Sequence, residues 1–174
     1  SVDTHHHFVG AVEHLVERAD ASSYITDVSR RNNAVVLGYS GSFDGALLQA
    51  DVRHDNSSTH GGVSTARLGG SVTLVHGLRA RALAGTTFRA PSFNDLYYPR
   101  YGVATIGPEH GRSVEVGLNW RDGDSELSAT VYRNSLRDLI AYEPNRSLCP
   151  SDPAYDFGCA RNISRARMSG LTLT

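Results

Sequence analysis

The chain has 174 residues, a length typical of one ordinary domain. Hydrophobic residues make up 40% and charged residues 20%, which is a globular rather than a disordered composition. The net charge of −1 implies no broad attraction to nucleic acid or anionic lipid. No run of about 18 apolar residues occurs, which excludes a transmembrane helix. Transmembrane β-strands are not excluded, because the alternation of apolar and polar residues keeps the hydropathy of each segment low.

Apolar and polar residues alternate with a period of two along most of the chain, which predicts about eight β-strands and no amphipathic helix. The alternation is clearest in the sixth segment, where apolar Val114, Val116, Leu118 and Trp120 interleave with Glu115, Asn119 and Arg121. In chain order, the predicted strands are centred on residues 8–17, 34–43, 48–52, 65–74, 78–88, 114–120, 127–131 and 162–174.

The links between these strands alternate in length. Short turns are predicted at Asp44-Gly45, His76-Gly77 and Asp122-Gly123, where Asp-Gly is a strong hairpin signal. The intervening links are long and cover residues 18–33, 54–64, 89–112 and 143–161. Because alternate turns of an up-and-down meander lie at the same end, all short turns should share one end of the sheet. Outer-membrane barrels have this asymmetry, with short periplasmic turns and longer extracellular loops.

The composition of the two strand faces favours a membrane barrel over a soluble one. One face is charged, whereas the apolar face carries many alanines, which fill a protein core poorly but are tolerated against lipid. We therefore predict that Val114, Val116, Leu118 and Trp120 face lipid, while Glu115, Asn119 and Arg121 face the barrel interior. A soluble domain would instead bury the apolar set.

Two cysteines, Cys149 and Cys159, lie in one predicted loop and form no C-x-x-C motif. A local disulfide is favoured over two free thiols, and it requires an oxidising compartment. Closing so short a loop should stabilise the folded state by about 2–3 kcal/mol in the chain-entropy view.

Several segments in fixed order resemble the barrel of TonB-dependent outer-membrane receptors. They are "FRAPSFNDLYYPRYG" (88–102), "GPE" (107–109), "SVEVGLNWR" (113–121), "ATVYRNSLRDLIAY" (129–142) and "NISRARMSGLTL" (162–173), with "RHD" (53–55) upstream. The segment around Asn94-Asp95-Leu96-Tyr97 resembles the corresponding segment of the cobalamin (vitamin B12) receptors within that family. Siderophore and haem receptors share much of the same barrel.

The resemblance implies an all-β fold, namely an antiparallel up-and-down meander that is a partial segment of a large transmembrane barrel of about 22 strands. Residues 1–174 would be one partial barrel domain, since "MSGLTLT" (168–174) reads as the middle of a strand. The plug, the energy-coupling segment and the other strands are expected elsewhere in a longer protein.

The implied function is that of a receptor in the bacterial outer membrane rather than an enzyme. Such a receptor binds a scarce small ligand, with cobalamin favoured, at its extracellular loops. Uptake is driven by an inner-membrane energy-coupling protein that acts through the N-terminal region. The alternatives are a siderophore or haem receptor of the same family, or a passive porin or adhesin barrel.

Candidate ligand-binding residues lie in the aromatic segment after the fifth strand: Tyr97, Tyr98, Tyr101 and Asn94. Tyrosine offers a large rigid surface with a polar hydroxyl at its tip, which suits a partly hydrated binding site. The alternative is that these tyrosines pack the loop onto the barrel wall. We expect an ordered loop held at the rim by Phe93 and Leu96.

No cofactor or metal site is predicted, apart from weak calcium candidates. Asp152 and Asp156 are included because cobalamin receptors, as the resemblance implies, use calcium in some loops. The alternative is that both carboxylates are simply solvated.

Overall fold

The structure, a computed structural model, describes residues 5–21 and 25–174, and these form one antiparallel sheet whose eight strands follow in chain order. The predicted fold class is therefore confirmed. The strands are β1 (His5–Ala21), β2 (Ile25–Phe43), β3 (Ala46–Ser57), β4 (Gly61–Val75), β5 (Leu78–Arg89), β6 (Glu109–Asp122), β7 (Ser125–Glu143) and β8 (Cys159–Leu173). One α-helix, α1 (Phe93–Tyr97), and two 3₁₀ helices, Arg146–Leu148 and Pro153–Tyr155, lie between strands.

The three short turns lie together at one end of the sheet, as predicted. The amide of Thr73 donates to the carbonyl of Gly45 at 2.7 Å, and the amide of Arg121 donates to the carbonyl of Gly77 at 2.8 Å. The first two turns therefore hydrogen-bond to the strand beside them, and the second is joined in this way to Arg121, next to the third turn. Gly45, Gly77 and Gly123 have positive φ angles, which glycine adopts without the steric cost of a Cβ.

Two of the four predicted long links are wrong. β3 ends at Ser57 and β4 begins at Gly61, and the two strands pair through His54↔Ser64 and Asn56↔Gly62. β1 likewise extends to Ala21 and β2 starts at Ile25, while residues 22–24 of that predicted link lie outside the described residues. These strand ends are mostly polar, so no clear alternation marks them in the sequence.

Two long connections do exist, and both lie at the end opposite the short turns. We call residues 90–108, between β5 and β6, the tyrosine loop, and residues 144–158, between β7 and β8, the disulfide loop. The asymmetry between the two ends of the sheet is thus real, but it rests on two loops rather than four.

The two faces of the sheet separate by chemistry as predicted. On the inner face, ion pairs cross between strands: Arg67 to Asp51 at 2.9 Å and Arg81 to Glu115 at 3.0 Å join adjacent strands, and Arg53 of β3 reaches across β2 to Glu13 of β1 at 2.7 Å. On the opposite face, Val114, Val116, Leu118 and Trp120 are all exposed. The apolar residues point outward and the charges are on the inner face, the reverse of a soluble barrel.

The short helix α1 was not predicted from the sequence, whose periodicity indicated strands and no amphipathic helix. Ser92 caps it in a reciprocal capping box: the Ser92 side chain accepts from the Asp95 amide, and the Asp95 carboxylate accepts from the Ser92 amide. A helix of five residues is too short to show a 3.6-residue period. Among the described residues, no helix has the length and apolarity needed to span a bilayer.

Candidate ligand-binding loops

Arg30 of β2 anchors the start of the tyrosine loop. Its guanidinium donates to the carbonyl of Pro91 at 2.7 Å and pairs with Glu17 at 2.7 Å. It also lies over the ring of Phe93, 5.2 Å from the ring centroid, in a cation–π contact. Leu96, only 4% exposed, is buried beneath the loop. The loop is therefore ordered, and Phe93 and Leu96 lie at its points of attachment.

Further along, the tyrosine loop is tied to the disulfide loop and to β8. The Asn162 side chain accepts from the Gly107 amide at 2.9 Å and donates to the Gly107 carbonyl at 3.0 Å. The hydroxyl of Tyr155 donates to the carbonyl of Gly102 at 2.8 Å, and the amide of Ala160 donates to the carbonyl of Tyr101 at 2.7 Å. The two loops thus form one connected unit.

A disulfide joins Cys149 to Cys159, with the two Cα atoms 5.8 Å apart. Cys159 is the first residue of β8 and is 1% exposed, so the bridge fixes the disulfide loop to the sheet. The second 3₁₀ helix, Pro153–Tyr155, lies inside the loop that the disulfide closes, and the first, Arg146–Leu148, ends just before Cys149. Tyr155, which holds Gly102, is therefore carried on a covalently restrained segment.

Replacing both cysteines with serine should destabilise the disulfide loop by about 2–3 kcal/mol, because the open chain gains conformational entropy. In the full-length protein, hydrogen exchange of the backbone amides at positions 149, 155 and 158 should accelerate, whereas exchange of β2 and β3 amides should not change. Unchanged exchange in the disulfide loop would show that packing alone orders it.

The four predicted contact residues differ in exposure. Tyr98 is 46% exposed and Asn94 is exposed at the loop surface. Tyr97 is half-buried, stacks on Phe93 with ring centroids 6.3 Å apart, and borders a polar groove between the ends of β2 and β3. Tyr101 is half-buried too, and burial raises the pKa of its phenol, so it stays protonated. The loop brings all four residues to one end of the sheet, and their role as ligand contacts stays a prediction.

The two calcium candidates have protein partners. Asp152 caps the second 3₁₀ helix by accepting from the Ala154 amide at 2.8 Å. Asp156 pairs with Arg146 at 2.9 Å. No group of three or more potential metal ligands occurs within the described ranges 5–21 and 25–174. Calcium binding by these carboxylates stays a prediction.

Below the loops, the inner face carries a polar cluster around Asp55, which is 1% exposed. Asp55 accepts from Arg53 at 2.7 Å and from the Asn32 side chain at 2.7 Å. Beside it lies His60, in the turn before β4, where burial and the nearby Arg30 charge lower the pKa of the imidazole. Two buried atoms here, Asn32 Oδ1 and His60 Nδ1, have no hydrogen-bond partner in the described part of the chain.

Sequence reasoning missed the residues that hold the loops. Arg30, Tyr155 and Asn162 are distant in sequence from the groups they bind, and no local pattern marks such contacts. The S-x-x-D spacing of Ser92 and Asp95 is the one local signal that could have predicted the start of α1.

Residues 8–174 match the family described as "TonB dependent receptor-like, beta-barrel". The chain belongs to this family. Its barrels are bacterial outer-membrane proteins, so the exposed apolar face of the sheet faces lipid in that membrane.

Two similar proteins are each named "Vitamin B12 transporter BtuB". The one from Photobacterium profundum is 31% identical over 145 residues, which is 83% of this chain and 23% of the relative. The one from Vibrio vulnificus is 28% identical over 155 residues, 89% of this chain and 24% of the relative. The chain thus spans about a quarter of the length of these relatives.

Among solved structures, the siderophore receptor PirA from Pseudomonas aeruginosa superposes with a TM-score of 0.79 at 18% identity, covering 95% of this chain and 32% of that receptor. The ferric enterobactin receptor PfeA in complex with BCV-L6 gives a TM-score of 0.78 at 15% identity, covering 99% of this chain and 30% of the receptor. At such low identity these matches show the fold alone.

Proposed function

We propose that this chain forms the ligand-capturing part of an outer-membrane receptor that takes up a scarce small molecule, cobalamin, by energy-coupled transport. The observation that carries the proposal is the connected unit of the tyrosine loop and the disulfide loop. It lies at the end of the sheet opposite the short turns, which is the extracellular end of an outer-membrane barrel. An ordered loop pair presents its side chains with less conformational entropy to lose on binding.

Cobalamin is favoured by the names of the sequence relatives, which share 24–31% identity with this chain. The second candidate is a ferric siderophore, which the names of several structurally similar receptors suggest. The surface chemistry is compatible with both, because Tyr98 offers an aromatic face and Asn94 an exposed amide in the same loop. The proposed partner for uptake is an inner-membrane energy-coupling protein.

Direct binding to the full-length receptor separates the two ligands. Titration with cyanocobalamin should give saturable binding, and ferric enterobactin in excess should not displace it. Displacement by the ferric chelate, with no binding of cyanocobalamin, would assign the siderophore function instead. If the protein folds as a barrel and binds neither ligand, both proposed receptor functions are contradicted.

Changing Tyr98 to Ala in the full-length receptor should weaken cyanocobalamin binding by about 1–3 kcal/mol, the range of a significant contact. Tyr97→Ala and Tyr101→Ala should have effects of the same sign, since both rings lie in the same loop. The matched control is Tyr39→Ala, because Tyr39 lies near the short turns and contacts His6. If the loop variants bind normally but yield less folded barrel, the tyrosines serve packing.

A further inference from the structure

An ion pair between an arginine and a glutamate closes the base of the tyrosine loop. Arg89, the last residue of β5, and Glu109, the first residue of β6, are register partners and lie directly opposite each other. The Arg89 guanidinium donates from Nε to Oε2 of Glu109 at 2.8 Å and from Nη2 to Oε1 at 2.7 Å. Two parallel hydrogen bonds of this kind fix the relative orientation of the two side chains, which a single contact does not.

The pair also connects the tyrosine loop to parts of the fold that are distant in sequence. Nη1 of Arg89 lies 3.5 Å from the carboxylate of Asp95, which caps α1. Oε1 of Glu109 accepts from the backbone amide of Ile140 in β7 at 2.9 Å. Because the ladder between β6 and β7 ends at residues 110 and 137, this side-chain bond extends the contact of the two strands beyond the ladder. Arg89 and Glu109 therefore link α1, β5, β6 and β7 at one point.

The two carboxylates of this arrangement are shielded from solvent. The side chains of Glu109 and Asp95 are 14% and 15% exposed, whereas that of Arg89 is 52% exposed. The hydrogen bond from Arg89 lowers the pKa of Glu109 despite the opposite effect of burial, so this carboxylate is ionised at neutral pH. A shielded carboxylate has lost much of its hydration and depends on its partner, so the loss of either charge should disrupt the arrangement.

We propose that Arg89 and Glu109 are positioning residues for ligand capture, which hold the tyrosine loop in its binding orientation before the ligand arrives. This inference rests on the proposed receptor function. A loop that samples other orientations binds only during the fraction of time that it spends in the competent one. Loss of the pair should therefore slow association and leave dissociation unchanged. Loss of a direct ligand contact has the opposite signature, because it mainly accelerates dissociation.

The test uses Glu109→Gln in the full-length receptor. Glutamine has a similar shape and keeps an acceptor for the Ile140 amide, but it removes the charge that Arg89 binds. The matched control is Glu126→Gln, because Glu126 forms an ion pair with Arg121, its register partner at the other end of β6 and β7. In stopped-flow measurements with cyanocobalamin, Glu109→Gln should associate about three- to tenfold more slowly than the wild type. Its dissociation rate and the unfolding temperature of the barrel should not change, and the control should match the wild type throughout.

A second measurement needs no ligand. The backbone amides at positions 96, 102 and 103 donate to carbonyls within the tyrosine loop. Their hydrogen exchange should be about threefold faster or more in Glu109→Gln and unchanged in the control, because the loop opens more often. Arg89→Lys should accelerate the same amides, since lysine keeps the charge but cannot form the two parallel hydrogen bonds. This variant decides the question if Glu109→Gln does not assemble.

Unchanged exchange in the variants that assemble would overturn the positioning role, as would an equal acceleration in the control. Normal association with faster dissociation would contradict it too, and would assign the pair to direct ligand contact. If the wild type binds neither cyanocobalamin nor ferric enterobactin, the receptor function fails, and the exchange rates alone decide whether the pair holds the loop.

Discussion

Replacing Val116 with arginine is expected to destabilise the assembled barrel by about 2–4 kcal/mol, the cost of a cationic side chain at the middle of the lipid-facing band. Val116 is 54% exposed, and it pairs with Ala82 on one side and Val131 on the other. It is midway between Trp120 and Arg112 on β6. An arginine there has no carboxylate within reach and lies furthest from both headgroup layers.

The matched control for Val116→Arg is Ser113→Arg, in the same strand but on the inner face. Ser113 is half-buried and pairs with Gly85 and Asn134, and Glu115 lies two residues away on the same face, so the added guanidinium meets polar surroundings. Urea titration of the full-length protein in lipid vesicles measures both free energies of unfolding. Equal stabilities for the two variants would mean that Val116 does not face lipid.

The strands, the short turns and the chemistry of the two faces could be predicted from the sequence because each is a local pattern. A period of two identifies a strand that has lipid on one side and water on the other. Asp44-Gly45 and Asp122-Gly123 are turns whose φ angles glycine adopts readily. These signals are strong because the environment changes sharply from one residue to the next.

The extracellular ends of the strands could not be predicted in the same way. Beyond the membrane both faces of a strand meet water, so residues such as His54, Asn56 and Ser64 alternate with other polar residues. Their pairing is a continuation of the hydrogen-bonded ladder that begins in the membrane. The sequence of β3 and β4 there resembles a loop, although the backbone is a strand.

The loop residues were predicted only in part, for a similar reason. The density of aromatic residues indicated an ordered tyrosine loop, which the structure shows. Its order, however, depends on Arg30, Tyr155 and Asn162, which come from β2, the disulfide loop and β8. Such contacts arise only when distant strands become neighbours.

The tyrosine loop also depends on one glycine. Gly102 is buried where the loop folds back over α1, and its amide donates to the carbonyl of Tyr98 at 2.7 Å. A Cβ at this position would lie 2.5 Å from the backbone nitrogen of Tyr97 and 2.6 Å from that of Tyr98. These are backbone atoms of the helix and its cap, so the clash cannot be relieved by rotating a side chain.

We therefore expect Gly102→Ala to disrupt the loop at a cost of about 1–3 kcal/mol, as overpacking usually does, and to separate the Gly102 carbonyl from the Tyr155 hydroxyl. The control is Gly107→Ala in the same loop, because a Cβ there meets only the Asn162 side chain at 4.0 Å. In the full-length receptor, limited proteolysis should cleave the tyrosine loop faster in Gly102→Ala than in Gly107→Ala, and ligand binding should weaken in the first variant alone. Barrel assembly should be the same in both, since the strands on either side of the loop are unchanged. Equal cleavage and equal affinity would show that α1 can shift to accept a side chain, and that the close approach at Gly102 does not fix the loop.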